Sequence, residues 1–148
     1  MIKKIIICLC CIVLLAGCKR TNLECTKRIG DYPKVKMDET IKFEYKDKKV
    51  VSIKNSMRYI FAEDIDANYE VMENSLREQF SLYDNSKAID YNIYKEKRGL
   101  LFVIDIEVDK LTDEEKMFFD YVLQYKDAPY KDTVNSLNAE GYSCKELR

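Results

Sequence analysis

The chain has no histidine and no tryptophan, and only four glycines and two prolines. Without histidine there is no Ser–His or Cys–His nucleophile pair and no histidine-ligated zinc site. Without tryptophan, a sugar-stacking platform is disfavoured. The glycines at 17, 30, 99 and 141 lie far apart, so no glycine-rich phosphate loop is present. No cofactor motif of another kind appears, and no metal-ligand spacing. No low-complexity linker marks a second domain. Charge is abundant but balanced, with 25 Lys and Arg against 26 Asp and Glu. That balance offers no basic field for nucleic acid and no acidic block of the kind found in disordered tails.

Long apolar runs are also missing. The longest, Ile5–Gly17, has 13 residues, short of the roughly 20 that a spanning helix needs. It follows Lys3 and Lys4 and ends Leu15-Ala16-Gly17-Cys18. A charged start, a short apolar core and small residues before a cleavage point are the layout of a secretory signal. The last four residues resemble the lipobox of bacterial lipoproteins. That resemblance implies cleavage before Cys18, a diacylglyceryl thioether on its sulfur and an acyl or acetyl group on its amine. Two or more acyl chains, such as palmitate, hold a protein stably where one is marginal. The expected organisation is a cleaved signal over 1–17, a lipidated Cys18 with a short tether over 18–22, and one domain over 23–148. The domain would sit on the extracytoplasmic face of the cell membrane. Loss of residues 1–17 leaves 131 residues carrying 23 basic and 26 acidic side chains. Lys19, Arg20, Lys27 and Arg28 follow the lipidated cysteine. They read either as a membrane-attracted set, at about 1 kcal/mol each near anionic lipid, or as a solvated basic stem.

Of six cysteines, Cys8, Cys10 and Cys11 leave with the signal and Cys18 is taken by lipid, which leaves Cys25 and Cys144. Each follows an apolar residue two places earlier, Leu23 and Tyr142, and residues two apart in a strand share a face. An oxidising compartment permits a disulfide between adjacent first and last strands. Closing so long a loop contributes about 5 kcal/mol at the upper end of the chain-entropy model. Two buried thiols remain an alternative; a metal pair is a poorer one, because two thiolates do not fill a tetrahedral site.

Hydrophobic periodicity orders the rest. Leu23–Lys27 reads as a strand, and Gly30, Asp31 and Pro33 as a turn. Alternation through Val35, Met37, Ile41, Phe43 and Tyr45, then Val51, Ile53, Met57, Tyr59 and Phe61, draws a long hairpin turning at Asp47-Lys48-Lys49. At Asp64, a candidate N-cap, the period becomes three or four. Ile65, Tyr69, Met72, Leu76, Phe80 and Tyr83 form one helical stripe, read as core. A second hairpin carries Ile89, Tyr91 and Ile93, then Leu100, Phe102, Ile104, Ile106 and Val108. Leu101 and Val103 suggest that its return strand is covered on both faces. Thr112-Asp113-Glu114-Glu115 is a capping box opening a helix with Met117, Phe118, Tyr121, Val122 and Tyr125. Pro129 starts a last helix that Gly141 ends in a left-handed cap. Tyr45–Lys49 and Tyr94–Arg98 are similar charged turns, each followed by a helix. They read as a duplication or as convergence of short turns. The expected fold is α+β: an antiparallel sheet of two hairpins plus N- and C-terminal strands, with about three helices on one face.

The hairpin Phe43–Ile53, the stretch Phe102-Val103-Ile104-Asp105-Ile106-Glu107-Val108-Asp109 and the closing segment Tyr130–Tyr142 resemble the YehR-like family of small bacterial lipoproteins. The family is a domain of unknown function, so the resemblance implies the fold and the anchor and brings no catalytic residues. It also implies that the pair Cys25 and Cys144 marks a Gram-positive subgroup.

Two residue sets are candidate sites. Asp105, Glu107 and Asp109 project from one strand face, as an acid–base pair or as a solvated face matched by lysines. Calcium would need more ligands than a straight strand supplies. Tyr121, Tyr125 and Tyr130 around Pro129 are either a contact surface or core aromatics flanking the sheet. The reading that follows is a non-enzymatic module, tethered through acylated Cys18, that binds a membrane-proximal protein, peptide or small ligand. A carboxylate-dependent envelope hydrolase and an inhibitor-like protein are the alternatives.

Overall fold

The computed structural model describes residues 20–147. The signal, Cys18 and Lys19 lie outside the described residues.

Six strands form one sheet: β1 (Arg20–Asp31), β2 (Val35–Lys46), β3 (Lys49–Phe61), β4 (Ile89–Glu96), β5 (Gly99–Glu107) and β6 (Ser143–Leu147). Their order across the sheet is β4-β5-β3-β2-β1-β6, and every pairing is antiparallel. Helix α1 (Ile65–Phe80) connects the first three strands to the β4–β5 hairpin. The segments α2 (Asp113–Phe118), α3 (Asp120–Leu123) and α4 (Tyr130–Ala139) lead to β6. The α+β class, the two hairpins and the adjacent terminal strands are as the periodicity predicts. Strand β1 is longer than expected: it begins at Arg20, opposite Lys46.

One face of the sheet carries the core. Leu23, Phe43, Ile53 and Ile106 lie in register across four strands and are almost fully buried. Helix α1 covers the β4–β5 side, where Phe80 meets Phe102 with ring centroids 4.8 Å apart. Segments α3 and α4 cover β1 and β2, with Tyr125 edge-on to Phe43 and Tyr130 edge-on to Tyr45. The helical stripe is therefore core, as read from its spacing.

Local chemistry explains most boundaries, and departs from expectation at several. Asp64 precedes α1 but makes no side-chain cap; it is left-handed, and Asn68 Nδ2 instead donates to the Glu63 carbonyl at 2.9 Å. The capping box at Thr112 and Glu115 forms in both directions. The helix it opens breaks at Phe119, whose ψ of 18° departs from helical geometry. That break turns Phe119, Val122 and Leu123 inward and leaves Met117 and Phe118 72% and 58% exposed. Helix α4 ends in a Schellman motif, with Gly141 at φ 92° and Tyr142 N–H donating to the Leu137 carbonyl at 2.9 Å. Val108 is outside β5, in a short 3₁₀ turn. Leu101 and Val103 face away from the helices, so no second layer covers them. Val103 is buried within the sheet surface between Ser56 and Asn92.

The two hairpin turns differ. Asp47 and Lys48 both have positive φ, the mirror-image turn that matches strand twist. Lys97 and Arg98 do not, and the strain falls on Gly99, where a Cβ would meet the Tyr59 carbonyl oxygen at 1.8 Å. The similar turn sequences therefore do not share a geometry.

Cys25 and Cys144 are disulfide-bonded, opposite each other in the β1–β6 register with Cα atoms 4.1 Å apart. The bond closes a separation of 119 residues and fastens a five-residue edge strand. Replacing both cysteines by serine is expected to cost about 2–5 kcal/mol. Urea denaturation of oxidised protein and of the double variant, side by side, measures it.

Candidate functional site

The sheet's core face contains two polar residues at positions where alternation calls for apolar ones. Glu39 on β2 is 6% exposed and Asn55 on β3 is 2% exposed. They sit diagonally across the β2–β3 ladder, since Glu39 pairs with Met57 and Ile41 with Asn55. Asn55 Nδ2 donates to Glu39 Oε1 at 2.9 Å and to the Tyr121 hydroxyl at 2.9 Å. The hydroxyl of Tyr142 donates to Glu39 Oε2. Asn55 Oδ1 is buried with no partner. A buried polar group without a partner costs about 1–3 kcal/mol, so this network specifies an arrangement at some expense in stability.

The helices supply the other half of the network. Tyr121 comes from α3 and Tyr142 from the cap of α4. Lys27, cross-strand from Glu39, donates to the Glu140 carbonyl at 2.5 Å and lies 5.2 Å from the centre of the Tyr142 ring. Tyr125 donates to Glu140 Oε1 at 2.7 Å. Burial, then the Glu39 hydrogen bond, pushes Tyr142 far above the ordinary phenol range. Burial, then the Glu140 hydrogen bond, pushes Tyr125 up to about 12. Burial raises Tyr121 as well. Phenols held protonated in this way are not bases: Tyr125 and Tyr142 donate, and Tyr121 accepts from Asn55. The cluster pins the helices to the central strands through hydrogen bonds.

The expected tyrosine surface is not one patch. Tyr125 is buried against Phe43, Tyr130 is half-buried against Tyr45, and Tyr121 exposes its ring while its hydroxyl reaches Asn55. The core-aromatic alternative describes two of the three.

The three acids separate also. Asp105 and Glu107 project from the helix-free face of β5, whereas Asp109 lies beyond the strand in the 3₁₀ turn. Asp105 is 3.0 Å from Lys54 on the neighbouring strand, and Glu107 is 2.6 Å from Lys110. Asp105 and Glu107 line a shallow cleft of about 370 Å³ with Asp84 and Asp90. Asp90 stands directly opposite Asp105 in the β4–β5 register. Each of these acids has a partner: Asp84 accepts from Tyr91 and Asp90 from Asn92. Among the described residues no group of three acids or thiols is placed to hold a metal ion.

The helix-free face is otherwise a lattice of cross-strand charge pairs. Glu24 bridges Lys42 and Lys145, each at 2.7 Å, and those hydrogen bonds hold its carboxyl below the usual range. Arg28 pairs with Asp38, and Arg58 with Glu96. Sequence reading missed Glu39 and Asn55. Their only signal was a polar residue breaking the run of apolar residues at odd-numbered positions 37–43 and 53–59.

No family model and no curated protein matches the chain. Two solved structures share its fold. The NMR structure of the E. coli YehR protein aligns with a TM-score of 0.62 and 15% identity, over 89% of this chain and 95% of that one. The NMR structure of a protein from Streptococcus pneumoniae TIGR4 aligns with a TM-score of 0.57 and 8% identity, over 86% of each chain. The chain thus has a YehR-like fold.

The raised tyrosines set a sign for pH dependence. The unfolded chain loses its phenolic protons near pH 10, before the folded chain does, so stability is full below pH 10 and falls as pH rises through 10 to 12. Tyr142→Phe is expected to flatten that fall and to cost about 1–3 kcal/mol near neutral pH. Denaturation midpoints of wild type and variant across that range provide the check.

Proposed function

We propose that this chain is a lipid-anchored, extracytoplasmic lipoprotein of the YehR-like kind, acting as a non-enzymatic module that binds a membrane-proximal protein. One observation carries the binding reading. Among the described residues the helices pack on one side of the sheet, which leaves the other side of six strands open, charged over most of its breadth and apolar at Leu101, Val103 and Tyr94. Both charge signs alternate there in short cross-strand pairs. Such a face suits a flat protein surface of mixed charge, where complementary charges set orientation and exclude wrong partners. The lipobox-like Leu15–Cys18 supports the anchor, and strand pairing from Arg20 holds the face close to the bilayer.

The opposed Asp90 and Asp105 in their cleft favour one second reading, a carboxylate-dependent envelope hydrolase. Against it, Lys54 engages Asp105 and Asn92 engages Asp90. An inhibitor-like role would use the same open face as the binding reading.

The anchor is tested by metabolic palmitate labelling: wild type takes up label and Cys18→Ser does not. For the binding face, photo-crosslinkers at Thr40 and Ser56 are expected to trap one discrete partner in cells, and one at Val71 on α1 to trap none. Adducts from Val71 alone would overturn the assignment. Alanine at Asp105, Glu107 and Asp109 together is expected to leave the phenotype of the intact gene; its loss in a folded variant would favour the hydrolase.

A further inference from the structure

We propose that the corner of the sheet where the chain leaves toward Cys18 docks on anionic phospholipid headgroups through Arg20, Lys46, Lys48 and Lys49. The β1–β2 register sets Arg20 opposite Lys46, and the β2–β3 register sets Lys46 opposite Lys49. Three cations therefore stand in one row across three strands, with Lys48 in the turn beyond. Like charges directly opposite each other in a ladder repel. All four side chains are exposed. Among the described residues only Arg20 of the four has a carboxylate within 4 Å, Glu44 at 3.0 Å. The turn adds a second cost. Lys48 holds φ 69°, a conformation that glycine, asparagine or aspartate takes more readily. A lysine in that place keeps a positive charge where neither the backbone nor its neighbours favour one.

The opposing acids nearby are Glu44, Asp47 and Asp127. The backbone bond from Val50 N–H to the Lys126 carbonyl, 3.1 Å, brings Lys126 and Asp127 beside the start of β3, where they pair with each other at 2.8 Å. Among the described residues, five cations thus face three carboxylates at this corner. The acids Glu107 and Asp109 lie farther along the same end of the sheet, and Lys110 offsets Glu107.

The geometry of the docked state rests on the lipid-anchor reading. Cys18 is two residues before Arg20. Two extended residues span at most about 7 Å, less than the screening length of about 8 Å at physiological ionic strength. The row would therefore act on headgroups without being screened out. Lys27 and Arg28, which sequence reading placed in the same zone, do not serve there. They lie seven or eight residues up β1, about 25 Å from its start, where Arg28 pairs with Asp38 and Lys27 with the Glu140 carbonyl.

The test uses the full lipidated protein on nanodiscs carrying a nitroxide-headgroup lipid, with zwitterionic lipid alone or with phosphatidylglycerol added. Amide signals of residues 46–49 are expected to broaden several-fold more than those of loops 32–34 and 97–98, and to do so only with phosphatidylglycerol. The combined variant Lys46→Glu, Lys48→Glu, Lys49→Glu is expected to stay on the disc and lose the difference. A combined Lys→Gln variant, giving intermediate broadening, guards against a folding defect in the charge reversal. Equal broadening on both discs, or no change in the charge-reversed protein, overturns the proposal. Failure of the wild type to stay on zwitterionic discs overturns the anchor reading instead. In that case binding to anionic discs through residues 46–49 still supports the basic corner, and no binding to them overturns it.

Discussion

The bond between Cys25 and Cys144 is the constraint on which the architecture turns. It lies on β1, the one strand that joins the long β2–β3 hairpin to the chain's last strand. Five-residue edge strands hold poorly by ladder hydrogen bonds alone. Here the covalent link, the lysine pair on Glu24 and the Schellman cap of α4 hold β6 in place together. The cap matters because it aims Tyr142 at Glu39. A single local event, Gly141 turning left-handed, thus sets the entry to β6 and one half of the buried polar network.

Elements with a clean period were legible in the sequence, and those depending on distant packing were not. Alternation drew both hairpins, and a three-to-four spacing drew α1 to its last aromatic. The capping box at Thr112 and the cap at Gly141 are local interactions among residues a few places apart, so their residues announce them. The break at Phe119 has no such signal. Met117 and Phe118 carry as much apolar area as Phe119, and only the packing of α3 against Phe43 and Tyr83 decides which of them goes inside. Asp64 shows the converse: a residue type suited to capping stands in the right place, but a left-handed backbone turns its side chain away from the task.

The candidate sites were legible in proportion to how local they are. The Lys54 partner of Asp105 could be anticipated, because charge matching across a ladder needs only the neighbouring strand, whereas Glu107 meets Lys110 in the turn after β5. Glu39 and Asn55 were invisible for the opposite reason. A polar residue inside an alternating strand reads as an ordinary interruption until two tyrosine hydroxyls, from α3 and from the cap of α4, arrive to meet it. Those hydroxyls also explain the apparent excess of tyrosine. Phenylalanine at 121 and 142 would fill similar space but would take one partner each from the buried Asn55 and Glu39.

The fold separates its costs by face. Under the helices, buried polar groups hold position at the expense of stability, and their raised phenols give up no protons near neutral pH. On the open side, many charges meet opposite ones across the ladder, among them Glu24 with Lys42 and Lys145, Lys54 with Asp105 and Arg58 with Glu96. The row at Arg20, Lys46 and Lys49 fits neither pattern. Its charges are alike, adjacent in register and exposed. Folding gains little from such a row: among the described residues Arg20 meets Glu44, while Lys46 and Lys49 have no carboxylate within 4 Å and would be better placed opposite a glutamate. Its cost to the isolated domain is offset only if an anionic surface lies beside it, and the lipid proposed on Cys18 would bring one there. On the anchoring proposed above, the link from Cys18 to Arg20 would set this corner, and no other part of the sheet, next to the bilayer.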